Sequence, residues 1–203
     1  MSAASSLAAL RPGAALGDYP EKAPHDKPWP DRLAERLVRI WKPLRKSLRP
    51  AELKAFVELV NREADSMDLA ASAYKSLAAE LRHRFAREGL TDRLVARSFA
   101  LVRAAAEDKL GLRHYDVQLM AGRVLMEGAL AEMETGEGKT LAATLPACTA
   151  ALAGIPVHVV TANDYLVTRD AAAMGPVYRA LGLSVGAITE KSTPKMRREM
   201  SFT

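Results

Sequence analysis

The chain contains a single cysteine, Cys148, among its 203 residues. One thiol excludes an internal disulfide and is typical of proteins from a reducing compartment, where we expect Cys148 to be a buried small hydrophobic residue. Long hydrophobic runs are also lacking, since no stretch approaches the roughly 18 apolar residues that a membrane-spanning helix needs. The first ten residues lack the basic start of a secretory signal peptide. These absences predict a cytoplasmic protein.

Positive charge is concentrated at the start of the chain. The net charge is +5, with 26% charged and 49% hydrophobic residues, which is ordinary for a globular protein of one or two domains. Residues 1–50 hold ten Lys and Arg against five Asp and Glu, whereas the remaining 153 residues hold nineteen of each. The excess positive charge therefore lies entirely in the first quarter.

Two segments are predicted within this basic quarter. Residues 1–30 contain five prolines and little apolar periodicity, which predicts a flexible arm. Residues 31–48 place apolar side chains, including Trp41, at helical spacing among six Lys and Arg, with Arg49 as a seventh directly after them, and Pro43 is expected to kink the helix. Such a basic amphipathic helix suits an anionic lipid surface or an acidic partner. The alternative is a helix packed on its own domain with a solvated basic face.

Apolar periodicity predicts further helices up to Gly111, so we assign residues 31–111 to a helical N-terminal region. The predicted spans are residues 50–64, residues 66–87, and a helix capped by Thr91 that stops at Gly111. Ala70 and Phe85 are among the side chains expected to point inward. His83 and His114 are isolated from other metal-ligating residues, so no protein metal site is predicted.

The motif Thr135-Gly136-Glu137-Gly138-Lys139-Thr140 follows an apolar run at residues 128–133 and precedes a predicted helix at residues 141–153. Strand, glycine loop and helix is the context of a phosphate-binding loop. The glycines let backbone N–H groups turn toward a phosphate. Lys139 is placed to reach the β- and γ-phosphates, and the Thr140 hydroxyl is placed to hold Mg²⁺. Met133 stands where the general pattern has glycine, so an ordinary glycine turn capping a helix remains an alternative.

Strands and helices are predicted to alternate after the loop. Residues 156–161 are predicted as a buried strand and residues 183–189 as a further strand, on either side of a helix that Asn163 or Asp164 can cap. This order predicts an α/β fold, a doubly wound parallel sheet of the P-loop type that is incomplete within this chain. We assign it to residues 112–203.

A short helix is predicted before the loop, at residues 117–127 with Asp116 as its N-cap. Gln118 lies one turn inside this helix. Its amide offers the donor and acceptor needed to read the N6 and N7 edge of adenine, although spacing alone favours an ordinary surface glutamine.

Three blocks in this region, residues 113–119, 133–141 and 158–170, resemble the first nucleotide-binding fold of SecA, the motor ATPase of bacterial protein secretion. Met133 is the residue that this family itself carries. The resemblance implies a RecA-like fold that binds Mg-ATP, with Gln118 reading adenine and Leu112 and Tyr115 beside the base. The phosphates would be bound by residues 135–140, namely Thr135, Gly136, Glu137, Gly138, Lys139 and Thr140.

The resemblance also implies the partners of such a motor: preproteins, the SecYEG channel, and anionic lipids contacted by the basic helix at the inner face of the plasma membrane. No nucleic-acid partner is expected, because the basic residues cluster in the N-terminal segment and not at the binding edge of the predicted sheet. The family's acidic motif and second motor domain lie downstream of the matching region, so we expect this chain alone to lack the residues for ATP turnover.

Two other readings stay open. A superfamily 2 nucleic-acid helicase shares the loop and the glutamine, but residues 161–166 differ from the P-T-R-x-L type motif of helicases. The other is a truncated SecA-like module that binds without catalysis.

Overall fold

The structure is a computed structural model that describes residues 48–67 and 70–193, together with residues 195 and 197. The predicted arm at residues 1–30 and nearly all of the basic helix predicted at residues 31–48 lie outside the described residues. From Leu48 onward the chain forms one compact unit. The boundary predicted at residue 111 stays a prediction.

Helices account for the regular structure of the described residues. They are α1 (Pro50–Asp65), a 3₁₀ turn (Ala71–Ala73), α2 (Tyr74–Glu88), α3 (Asp92–Leu110), α4 (Asp116–Met126), α5 (Lys139–Leu152) and α6 (Asp164–Ala180).

Local capping chemistry sets several of these boundaries. The Thr91 hydroxyl accepts a hydrogen bond from the Leu94 N–H at 3.4 Å before α3, and Gly111 ends that helix with a left-handed φ of 67°. Before α6, the Asn163 side-chain oxygen accepts from the Leu166 N–H at 2.9 Å. These caps confirm the sequence predictions for both helices.

Two predicted helix starts are wrong. The helix predicted from residue 66 begins at Tyr74, because the Ser66 hydroxyl donates to the Glu63 carbonyl at 2.8 Å and Ser66 caps the end of α1. Ala70, expected to point inward, is exposed. Asp116 is the first residue of α4 and not its N-cap, which is Tyr115.

Helix α3 lies at the centre of the core and packs against α1, α2, α5 and α6. Phe99 on α3 is fully buried and meets Phe56 of α1 edge to face, with ring centroids 5.4 Å apart. Gly122 brings α4 close, since a Cβ there would lie 3.0 Å from the Phe99 ring and 3.2 Å from Leu145 Cβ of α5. Close packing around α3 thus fixes α4 and α5, which carry the candidate site, relative to each other.

Polar groups inside the core are paired across helices. Glu63 of α1 is buried and accepts hydrogen bonds from Arg93 and Arg97 of α3 at 2.8 and 3.4 Å. The Ser98 and Thr149 hydroxyls hydrogen-bond at 2.8 Å between α3 and α5. Cys148 is buried as predicted, and burial raises the pKa of its thiol.

The predicted strands do not form in the described part of the chain. Residues 129–134, 155–161 and 183–189 carry no regular secondary structure, and many of their apolar side chains are exposed, including Val160 at 89%. A strand needs a paired neighbour to satisfy its backbone groups, and these three runs do not pair with one another. No described helix is long and apolar enough to cross a membrane.

Candidate nucleotide site

The glycine-rich loop ends where α5 begins. Gly138 is the N-cap of α5 with a φ of 79°, and Gly136 has a φ of 95°, both in the left-handed region that glycine adopts without strain. Lys139 and Thr140 are the first two residues of the helix. Their N–H groups are among the four at a helix N-terminus that lack an intrahelical acceptor, so the loop presents donors and the positive end of a helix dipole.

The loop is folded on itself in this structure. The Glu134 N–H donates to the Glu137 carboxylate at 2.7 Å, and the Lys139 ammonium donates to the Glu134 carbonyl at 2.6 Å. The Glu137 N–H in turn donates to the Glu134 carbonyl at 3.3 Å. To bind a phosphate, the Lys139 ammonium must give up its hydrogen bond to the Glu134 carbonyl. The exchange is favourable, because a hydrogen bond between an ammonium and an anion is stronger than one to a neutral carbonyl.

Gln118 links α4 directly to the loop. Its side chain is 3% exposed; the Oε1 atom accepts from the Tyr115 N–H at 3.0 Å, and the Nε2 atom donates to the Glu137 carbonyl at 2.8 Å. The same side chain therefore caps α4 and holds the phosphate-loop backbone. Beyond these two bonds the amide has one further N–H on Nε2 and one further lone pair on Oε1.

Gly138 and Gln118 are packed against each other. A Cβ at Gly138 would lie 2.5 Å from Gln118 Nε2, closer than real Cβ contacts allow. The glycine is therefore required twice, for its backbone conformation and for the space that Gln118 occupies.

The two residues expected beside the base, Leu112 and Tyr115, are exposed, Tyr115 at 74%. An exposed ring and an exposed aliphatic side chain next to Gln118 in the sequence offer apolar surface for a planar base. Thr135 and Lys139 are exposed, whereas Thr140 is half-buried.

His114 is the residue that sequence reasoning missed. It is 2% exposed, and its Nε2 atom lies 3.0 Å from the Leu141 carbonyl and 3.1 Å from the Thr144 hydroxyl, both on α5. Burial lowers the pKa of His114 to about 4, against the effect of the Leu141 hydrogen bond. The sequence did contain a signal for a role of His114, since it lies four residues before Gln118, inside the block that resembles SecA.

No cluster of three or more His, Cys, Asp or Glu side chains that could hold a metal ion occurs among the described residues. Thr140, the second residue of α5, offers a hydroxyl, an oxygen ligand of the kind that Mg²⁺ prefers.

Comparison with known proteins places this sequence in a family. A sequence model of the SecA DEAD-like domain matches residues 40–202. Protein translocase subunit SecA 2 of Nitrosospira multiformis is 46% identical over 164 residues, which cover 79% of this chain and 24% of the relative. SecA of Thermus thermophilus is 52% identical over 149 residues, 72% of this chain and 14% of the relative. SecA 3 of Magnetococcus marinus is 42% identical over 179 residues, 85% of this chain and 26% of the relative.

The chain thus spans about a quarter or less of the length of these relatives. The family match includes the phosphate loop, Gln118 and the packed helices that position them. On this match the resemblance seen in the sequence is confirmed, and the chain belongs to the SecA DEAD-like domain family.

Proposed function

We propose that this chain is the ATP-binding N-terminal portion of a SecA-type protein translocase, a motor that couples ATP hydrolysis to preprotein export through the SecYEG channel. One observation carries the proposal. The Gln118 side chain, to which we assign recognition of the base, is buried and hydrogen-bonds the Glu137 carbonyl of a glycine loop that opens α5. This contact supports a single site in which Gln118 recognises the base and the loop binds the phosphates.

Each residue of the site has a proposed role. The loop from Thr135 to Thr140 receives the phosphates on backbone N–H groups, and Lys139 neutralises the β- and γ-phosphates. Thr140 holds the Mg²⁺ of Mg-ATP, which screens phosphate charge. Gln118 reads adenine with its free N–H and lone pair, while Leu112 and Tyr115 cover the base.

The fold of residues 112–203 is proposed to be the doubly wound parallel sheet of RecA-like motors. Family membership supports an α/β fold, and the apolar runs at residues 155–161 and 183–189 alternate with α5 and α6 as strands of such a sheet would. Exposed β-branched side chains such as Val160 are then the strand surfaces that a completed sheet would cover.

Partners and location are proposed from the family and from charge. Preproteins and the SecYEG channel are the partners of a SecA-type motor, and nucleic acid is not expected. The basic segment at residues 31–48 would contact anionic lipids, so the protein would act in the cytoplasm and bind the membrane peripherally. ATP turnover is expected to need residues beyond those of this chain.

The comparisons do not favour the two other readings. The three relatives above are all named protein translocase subunits, and the matching family is a SecA domain and not a nucleic-acid helicase. Neither comparison points to a module that binds without catalysis.

Titration of a fluorescent ATP analogue into wild type and Lys139→Ala tests the proposal. A charge-assisted hydrogen bond contributes about 1.5–3 kcal/mol, so Lys139→Ala should weaken binding by roughly 10- to 100-fold. Lys75→Ala is the matched control, because Lys75 is an exposed lysine on α2, outside the site. Equal affinities of wild type and Lys139→Ala would contradict the assignment of the loop.

A further inference from the structure

His114 is a buried, ordered imidazole with no role in the site as proposed above. It lies between Leu112 and Tyr115, the two residues assigned to the base, and its ring contacts Leu141 and Thr144 of α5. The contact joins a segment on the base side of the site to the helix that begins with the phosphate-binding residues Lys139 and Thr140.

The hydrogen-bond network fixes which ring nitrogen carries the proton. The Leu141 carbonyl can only accept, and the Thr144 hydroxyl already donates its own hydrogen to that carbonyl at 2.7 Å. Both atoms near Nε2 therefore accept, so Nε2 is the donor and the neutral ring carries its hydrogen there.

The other ring nitrogen supports this tautomer. Nδ1 is buried and has no hydrogen-bond partner among the described residues, so a proton there would be an unsatisfied buried donor. Arg103 of α3, itself buried, also disfavours a positive charge on the ring. His114 is thus held as a neutral donor toward α5.

The base-side segment is tied to the phosphate side at two points. Gln118 holds the Glu137 carbonyl in the loop, and His114 holds the first turns of α5. With the second tie removed, the segment from Leu112 to Tyr115 would keep its connection through Gln118 and the packing of α4 against α5. The phosphate loop itself would keep its own bonds, including that of Lys139 to Glu134.

We propose that His114 is a positioning residue for base recognition: its Nε2–H bond to Leu141 and Thr144 sets the adenine-contacting segment at a fixed place relative to the phosphate loop. This inference rests on the proposed ATP site. It predicts a loss confined to the base-dependent part of nucleotide affinity, because His114 touches neither the loop nor the phosphates.

The test compares ATP, GTP and inorganic tripolyphosphate, which has no base, by competition against a fluorescent ATP analogue. His114→Leu removes the donor in a similar volume, and His114→Gln retains an N–H donor at a similar reach. We expect His114→Leu to weaken ATP about tenfold, a change that corresponds to about 1.4 kcal/mol, while tripolyphosphate changes less than about twofold. His114→Gln should recover most of the ATP affinity.

Several results would overturn the inference. They are an unchanged ATP affinity in His114→Leu, an equal loss for ATP and tripolyphosphate, or no recovery in His114→Gln. Far-UV circular dichroism and thermal unfolding check that each variant is folded. If His114→Leu does not fold, Thr144→Val takes its place, since it removes one of the two acceptors and should give a smaller loss of the same base-dependent kind.

Failure of the proposed function looks different. In that case wild type binds neither ATP nor tripolyphosphate, or Lys139→Ala binds both as wild type does. If Lys139→Ala weakens ATP binding and His114→Leu does not, the ATP site is supported and only the positioning role of His114 is contradicted.

Discussion

Gly138 and Gln118 meet where the loop turns into α5, and the site depends on this contact. The glycine has a φ of 79°, and the amide of Gln118 occupies the space that a Cβ would take. The motif alone predicted that position 138 needs glycine for its backbone. It did not reveal that Gln118 touches it, because a contact between residues 20 positions apart depends on how α4 packs against α5.

Replacement of Gly138 by alanine separates these two requirements when it is compared with Gly154→Ala. Gly154 has a nearly equal φ of 78° and would meet nothing within 4 Å, so it reports the backbone strain alone. We expect strain of about 1–2 kcal/mol in both variants. Gly138→Ala should lose additional stability and ATP affinity, because its Cβ displaces Gln118 from the Glu137 carbonyl.

Urea unfolding measures the stability of both variants, and titration of the ATP analogue measures binding. Equal losses of stability in the two variants, with ATP affinity retained in Gly138→Ala, would show that the close approach to Gln118 has no energetic consequence.

The pKa of His114 makes the stability of the fold depend on pH. Its pKa of about 4 in the folded chain lies below the ordinary value of 6.5, so the unfolded chain binds more protons between these values. The free energy of unfolding should therefore fall as pH is lowered from about 6.5 to about 4, by up to roughly 3 kcal/mol from this residue.

His114→Gln isolates this contribution, since the carboxylates titrate alike in both proteins. Between pH 7 and pH 4.5 the variant should lose less stability than wild type in urea unfolding. Parallel pH profiles of wild type and His114→Gln would mean that His114 titrates normally.

At the scale of elements, sequence predicted the helices well where a cap is local. Thr91, Gly111 and Asn163 set boundaries through contacts with residues within four positions, and such contacts are readable from the motif. The start of α4 was misplaced, because its Tyr115 cap depends on the Gln118 side chain folding back to the Tyr115 N–H. Asp116 in that position looked like the better cap by residue type.

Strand formation, in contrast to these helix boundaries, could not be predicted from local sequence. The β-branched run at residues 156–161 has the composition of a buried strand, but the structure leaves Val159 and Val160 exposed without a paired neighbour. Strand preference measures fit to a partly buried pleated surface, so a run forms a strand only where adjacent strands are present. Composition predicted the preference and could not predict the pairing.

The basic element predicted at residues 31–48 leads to a membrane prediction. Each Lys or Arg near an anionic surface contributes about 1 kcal/mol, and the segment contains six, with Arg49 as a seventh directly after it. The full chain should co-sediment with anionic vesicles at low salt and release at about 1 M salt, where the Debye length falls to about 3 Å. A shortened chain that starts at Pro50 should remain in the supernatant.

Neutral vesicles, which should retain neither protein, are the control. Equal adsorption of the full and shortened chains to anionic vesicles would show that the basic segment is only a solvated surface of the helical region.

At the scale of the whole molecule, α3 connects the N-terminal helices to the candidate site. It packs on α1 and α2, which precede it in the chain, and on α5 and α6, which follow it. The helices before Gly111 and those after it therefore share one core. The helices before Gly111 can therefore act as a scaffold for the nucleotide site. The shared burial of Phe99, Leu145 and Val177 gives that scaffold a physical basis.

The central claim is that loop and Gln118 form one adenine-nucleotide site, and the selectivity between ATP and GTP tests it most directly. Affinities for both nucleotides would be measured for wild type, Gln118→Ala and the control Lys75→Ala. Wild type and Lys75→Ala should prefer ATP. Gln118→Ala should bind both nucleotides more weakly, since the Glu137 carbonyl loses its donor, and should lose about 1–3 kcal/mol more for ATP, so that the preference disappears. A wild-type chain that binds ATP and GTP with equal affinity would contradict the account.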